Sequence, residues 1–322
     1  MAIRHKIKRS STPDAMPIQE AFKEFITEKE AKNLSKATIK NYVQSFEYFM
    51  DFHGFDDESL LSEIKASHFY QWMNTLKLDG VRHTSINHYL RDNRVFFYWC
   101  MERTYIENSF QIPLVEGQEE LPKMFSDEEI DLLLEKPKPG DSFTNWRTWA
   151  IVNWVLATGN RAATICEVRC SDVKYTKNGV KGEIVLGHTK NKKAQIVPLS
   201  SSLENVLKEY TRKFDVSTFL FPNIGDEQLT TNALSHSFAR YCKERGCEHT
   251  NIHGLRHSFS KLFIKNGGTP FALQKLLGHA TLEMTRHYVK LFSDDLKEDY
   301  ESYSPLDTIK KGAKRTNKIK RN

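Results

Sequence analysis

The stretch at residues 252–290, IHGLRHSFSKLFIKNGGTPFALQKLLGHATLEMTRHYVK, decides both the fold and the chemistry of this chain. It holds His253 and Arg256, three residues apart and so on one face of a helix. Gly278-His279 follows, and Tyr288 stands nine residues beyond His279. Turn signals divide the stretch: Gly267-Gly268 end one helix, Thr269 and Pro270 supply the cap and first residue of the next, and Gly278 stops it. A cation that does not deprotonate, two imidazoles and a phenol suit a site for a charged ester. With no carboxylate cluster and no glycine-rich phosphate loop beside them, they point to metal-free attack on a phosphodiester. Guanidiniums would then neutralise the non-bridging oxygens. Tyrosine, with a pKa near 10, is a weak nucleophile at neutral pH and needs a base or a cationic field. The leaving alkoxide needs a proton donor, for which a lysine or histidine serves.

Upstream of this stretch the chain supplies what it lacks. In ATGNRAATICEV (157–168) the Thr158-Gly159-Asn160 turn precedes Arg161, which opens a helix expected to run towards Cys170. An arginine there faces the positive end of the helix dipole, a cost that an anion docked against both would offset. From Asp172 to Leu199 the period becomes strand-like. VKYTK, Asn178-Gly179, VKGEIVLGHT, KNKK and AQIVPL predict a three-stranded antiparallel meander, with Asn178-Gly179 as a type I′ turn. Lys190, Lys192 and Lys193 sit at the second hairpin tip. Helices are expected around Trp146 to Leu156, in SSLENVLKEYTRKF and in TTNALSHSFARYCKERG.

The first third of the chain is helical in pattern. In LSKATIKNYVQSFEYFMDF, Ile39, Val43, Phe46 and Met50 follow the helical period, with Ser35 or Thr38 available as N-cap. Phe69, Trp72, Met73 and Leu76, then Ile86, Leu90 and Phe97, mark further helices of a bundle whose aromatics form its core. Period is lost in SFQIPLVEGQEELPK, and a capping box of Ser126 and Glu129 opens the second domain. The expected organisation is a basic arm at 1–15, a helical domain at 16–108, a linker at 109–123, a second domain at 124–303 and a basic tail at 304–322.

Composition agrees with a soluble polyanion-binding protein. A chain of 322 residues, 39% hydrophobic and 27% charged, has room for two domains. No run reaches the length of a membrane span and residues 1–11 lack a signal-peptide core, so the expected location is the cytoplasm or nucleoid, without membrane association. The formal net charge of +6, concentrated in part at Arg4 to Arg9 and Lys310 to Arg321, leans towards nucleic acid. The five cysteines are expected to be reduced. Cys166 and Cys170 with Cys242, Cys247 and His249 form a dispersed zinc pattern, less favoured than buried free thiols.

In this order the motifs resemble those of the tyrosine recombinases, the phage integrase and Xer-like site-specific recombinases, over roughly residues 18–300 and most strongly in the second domain. ATGNRAATICEV is similar to the family's first arginine box, HGLRHSF to the second, and LLGHATLEMTRHYVK to the segment ending in the nucleophile. The resemblance implies a mainly α fold with a small antiparallel β-sheet, arranged as a two-domain clamp. A helical SAM-like core-binding domain would pair with an α+β catalytic domain around duplex DNA. It implies that Arg161 and Arg256 clamp the scissile phosphate and that Lys190, with Lys192 and Lys193 as alternatives, protonates the 5′-hydroxyl leaving group. His253 would act as acid/base, His279 would hydrogen-bond the phosphate, and Tyr288 would form a 3′-phosphotyrosyl bond, without metal, ATP or other cofactor.

The implied partners are double-stranded recombination sites, three further copies of the chain in a tetramer that exchanges a C-terminal helix such as SDDLKEDYESY, and accessory excision or bending factors. With about 160 residues before Arg161, simple core sites are expected rather than the extra arm-binding domain of lambda-type integrases. The expected function is strand cleavage and rejoining for a mobile element. One departure stands out: Thr164 occupies the position, three after the first arginine, where the family usually carries an acidic residue, with Glu167 one turn on. Thr164 motivates the alternative of a DNA-binding protein that keeps the fold with impaired catalysis. His257 and His287 are expected to be packing neighbours, and His83 and His88 at most DNA contacts.

Overall fold

Hydrophobic residues at helical spacing gather into two main cores in the computed structural model, which describes residues 16–117, 122–187, 195–278 and 281. The chain divides into two compact units, Met1–Glu120 and Leu121–Asn322. The first is a bundle of α1 (Ile18–Ala31), α2 (Lys36–His53), α3 (Ala66–Leu78) and α4 (His83–Glu102). Ser35 caps α2 by accepting from the Thr38 amide at 3.1 Å, and Gly54 ends it at φ +68°, a left-handed conformation that glycine adopts without strain.

Aromatic rings fill this first core. Phe22 and Phe46 stack with centroids 3.7 Å apart, and Phe49, Phe69, Trp72 and Phe97 are fully buried beside them. Each such side chain contributes about 1.5–3 kcal/mol by leaving water. The residues after Asn108 run along the bundle. Ile112 is buried in its core, with Phe110, Leu114 and Val115 packed against it. The Asn87 carboxamide donates to the Val115 carbonyl at 2.9 Å and accepts from the Val115 amide at 2.8 Å. His83 packs against Gly117, and His88 lies 3.5 Å from Asp92 on its own helix.

The second unit begins with α5 (Asp127–Leu134), opened by the expected capping box: Ser126 accepts from the Glu129 amide at 3.2 Å and Glu129 accepts from the Ser126 amide at 2.9 Å. Next is α6 (Phe143–Thr158), apolar on every side and therefore central. Trp154, Ile151 and Val155 on α6 are fully buried. Around it lie α8 (Ser201–Phe214), α9 (Thr231–Glu244) and α10 (Ile252–Lys265), and α11 (Pro270–Leu277) follows α10. Thr269 caps α11 through the Ala272 amide, Pro270 is its first residue and Gly278 ends it at φ +62°.

The sheet is the expected antiparallel meander of β1 (Val173–Lys174), β2 (Glu183–Leu186) and β3 (Gln195–Pro198). Asn178 and Gly179 both have positive φ between the bridged Lys177 and Val180, as a type I′ turn requires. One expectation changes. The helix opened by Arg161, α7 (Ala162–Glu167), stops before Cys170 because Val168 and Arg169 turn extended and pair with the 218–220 segment. Two backbone bonds, Leu220 amide to Val168 carbonyl and Cys170 amide to Thr218 carbonyl, outcompete a further helical turn.

Candidate active site

The site is built where α6 ends, α10 begins and α11 ends. Gly159 terminates α6 at φ +63° and lets three elements meet, since a Cβ there would lie 2.4 Å from the Phe259 ring of α10 and 2.6 Å from Leu277 of α11. The turn that follows is locked from inside. Asn160 is buried and accepts from the Trp154 indole at 2.9 Å, which aims Arg161 out of the turn.

Two guanidiniums converge on one carbonyl. Arg161 donates through Nη1 to the Leu277 oxygen at 3.3 Å, and Arg256 donates through Nη2 to the same oxygen at 3.3 Å. Arg256 is buried, and its Nη1 also donates to the Gly159 carbonyl. Side chains 95 positions apart in the sequence are thus fixed side by side, an arrangement of like charges that a bound anion would stabilise. The expected penalty at the start of α7 does not arise. Arg161 is the residue before that helix, and its charge reaches the C-terminal end of α11, where a helix dipole is negative.

His253 stands at the second position of α10, its amide bonded to the Asn251 side chain that caps the helix. The surrounding protein, then the charges of Arg256 and Arg161, hold its imidazole below the ordinary histidine pKa. Water still reaches this exposed residue, so the ring can exchange protons beside the two cations. The C-terminal turn of α11 is tied from a third direction. Gln195, the first residue of β3, donates through Nε2 to the carbonyl of Lys275 at 3.1 Å and to that of Leu276.

The model of the phage integrase family matches residues 123–294, more than half of the chain, and the family's N-terminal SAM-like domain matches residues 20–104. The chain belongs to the phage integrase family. It is 28% identical to the tyrosine recombinase XerC of Staphylococcus aureus (strain JH9), over 89% of this chain and 96% of that protein. Two solved structures share the fold. The Tn1549 transposon integrase in complex with transposon right end DNA has a TM-score of 0.70 at 17% identity, covering 85% of this chain and 94% of that one. The XerH site-specific recombinase bound to palindromic difH substrate in a post-cleavage complex has a TM-score of 0.68 at 21% identity, covering 91% and 92%.

Within this phage integrase family member, Arg161, His253 and Arg256 are brought together, while Lys190, Lys192, Lys193, His279, His287 and Tyr288 lie outside the described residues. His257 is half-buried beside Arg256. Glu167, the last residue of α7, lines a hollow with Gln228 and Thr230, and no ion pair joins it to Arg161 among the described residues. The dispersed zinc pattern is not assembled. No group of three or more His, Cys, Asp or Glu able to hold a metal occurs among the described residues, and His249 lies 3.2 Å from Glu129. Burial pushes the Cys166 thiol up to about 11 and that of Cys242 up to about 12, away from the thiolate that zinc needs. No described helix is long and apolar enough to cross a membrane. Sequence reading missed Gln195 and the shared Leu277 carbonyl; a polar residue opening a strand and a main-chain oxygen carry no pattern that marks them.

Proposed function

We propose that this member of the family is a site-specific DNA recombinase of a mobile element, cleaving and rejoining strands through a 3′-phosphotyrosyl intermediate. The observation that carries the reading is the convergence of Arg161 and Arg256 on the Leu277 carbonyl, immediately before Gly278-His279, with His253 in their field. Paired guanidiniums fit the two non-bridging oxygens of a phosphodiester and stabilise the charge that grows on them in the pentavalent transition state. In the proposed cycle the Tyr288 oxygen bonds to phosphorus as the bond to O5′ breaks. The phenolic proton is accepted by His253 and Lys190 protonates the departing 5′-oxygen. A 5′-hydroxyl from a second strand then attacks the same phosphorus and expels the phenol, so the ester energy is conserved and no ATP is consumed. His279 would hydrogen-bond the phosphate throughout.

In this reading residues 16–108 form the core-binding domain and 124–303 the catalytic domain of a clamp on duplex DNA. Four copies exchange C-terminal segments in the cytoplasm on the nucleoid, joined at some sites by accessory bending factors. The two cations supply charge that a divalent metal supplies elsewhere, so cleavage is expected to persist in chelator. A duplex nicked beside the cleavage point, which loses its 5′-hydroxyl fragment and traps the intermediate, tests the reading. A covalent protein–DNA adduct is expected with the parent protein and none with Tyr288→Phe, at equal DNA binding. DNA binding by the parent without an adduct would establish instead the catalytically impaired DNA-binding protein that Thr164 raises.

A further inference from the structure

The C-terminal turn of α11 is bonded by side chains from three separate elements. The last carbonyls of a helix have no partner within it and must find one elsewhere. Here the Lys275 and Leu276 oxygens accept from Gln195 Nε2, while the Leu277 oxygen accepts from Arg161 and Arg256. The Gly278 amide also donates to Lys275 at 3.3 Å, closing the turn. Gly278 has a second reason to be glycine besides its φ of +62°. A Cβ there would lie 3.1 Å from Gln195 Oε1, so the bare backbone lets the carboxamide lie against it. Gln195 is held on a paired strand, opposite Leu186 in the register of β2 and β3, and therefore offers a fixed anchor.

We infer that Gln195 is a positioning residue for the paired guanidiniums: it pins the end of α11 to the sheet and so fixes the Leu277 oxygen on which Arg161 and Arg256 are aligned. The inference rests on the recombinase reading above and deepens it. The chemistry of the position is selective. A carboxamide brings N–H donors to carbonyls at the negative end of a helix dipole, whereas a carboxylate of the same shape brings only acceptors and a like charge. A lysine keeps the donors and suits the dipole.

The test compares single-turnover cleavage of a nicked duplex by the full-length parent, Gln195→Glu, Gln195→Ala and Gln195→Lys, with DNA affinity and thermal unfolding measured for each. Gln195→Glu and Gln195→Ala are expected to cleave more slowly by on the order of ten- to a hundredfold at unchanged Kd, the scale of a misplaced reacting group. Gln195→Lys is expected to recover most of the loss. A second duplex carries a neutral methylphosphonate at the cleaved linkage and so removes the charge that the clamp meets. On it the Gln195→Ala rate is expected to approach the parent's. Gln195→Ala cleaving phosphate as fast as the parent, or losing the same factor on both duplexes as general structural damage would, overturns the inference alone. A parent that binds DNA and forms no adduct on the phosphate duplex overturns the recombinase reading and this inference with it.

Discussion

Replacing Gly159 by alanine probes the junction on which the site is assembled. At φ +63° any side chain is strained by about 1–2 kcal/mol. The added methyl would also stand 2.4 Å from the Phe259 ring and 2.6 Å from Leu277, both on helices that carry the site, and forcing a packed core apart costs about 1–3 kcal/mol more. The total, about 2–5 kcal/mol, lowers the unfolding temperature of a unit this size by roughly 2–4 °C per kcal/mol. Gly246→Ala separates the two contributions. Gly246 has φ +75° with nothing within 4 Å of the would-be Cβ, so that variant suffers the backbone strain alone. Calorimetry of the full chain, with the transitions fitted separately, should place Gly159→Ala below Gly246→Ala by about 1–3 kcal/mol. Cleavage should fall selectively in Gly159→Ala, because the displaced carbonyl is the one that accepts from Arg256. Equal destabilisation and equal cleavage in the two variants would refute the packed junction.

Further outcomes are expected at the paired arginines and at His253. Arg161→Ala and Arg256→Ala should each slow adduct formation on the order of a hundredfold or more, since each removes a preorganised charge from the transition state; adduct rates within a few-fold of the parent's would refute the clamp. Arg256→Ala should also destabilise the protein more than Arg161→Ala, measured by thermal unfolding, because Arg256 is the buried member of the pair. For His253 the folded pKa is depressed below the unfolded value near 6.5, so the unfolded chain takes up the proton first. Its neutral form therefore persists to lower pH in the folded protein. The part of stability that depends on it is present above pH 6.5 and declines as pH falls below that value. The acid limb of the cleavage rate should accordingly lie below pH 6.5 and disappear in His253→Gln, as a pH series of single-turnover rates would record.

Much of the fold was legible from local chemistry. Ser126 with Glu129, Thr269 with Pro270, and Gly159 and Gly278 mark helix ends because capping is decided within four residues of chain. Asn178-Gly179 marks its hairpin for the same reason: both residues accept the positive φ that the turn demands. Of the ordered set Arg161, Lys190, His253, Arg256, His279 and Tyr288 that the sequence offered, the described residues include Arg161, His253 and Arg256, and the fold brings these three together. The end of α7 was not legible. Its sequence allows another helical turn, and only the 218–220 segment, far along the chain, offers Val168 and Arg169 better backbone partners.

Tertiary structure alone decided how the charges are held. The bonds that join Arg161 to Leu277 and Arg256 to Gly159 span 116 and 97 positions of sequence, and a main-chain carbonyl looks the same in every residue. Gln195 makes the same point from the sheet, reaching Leu276 across 81 positions. The sequence by itself determined which charged and polar groups the chain carries and in what order, because side-chain chemistry is a local property. Where they meet depends on helix ends packed against one another, and that is settled only when α6, α10, α11 and β3 close around a shared set of carbonyls.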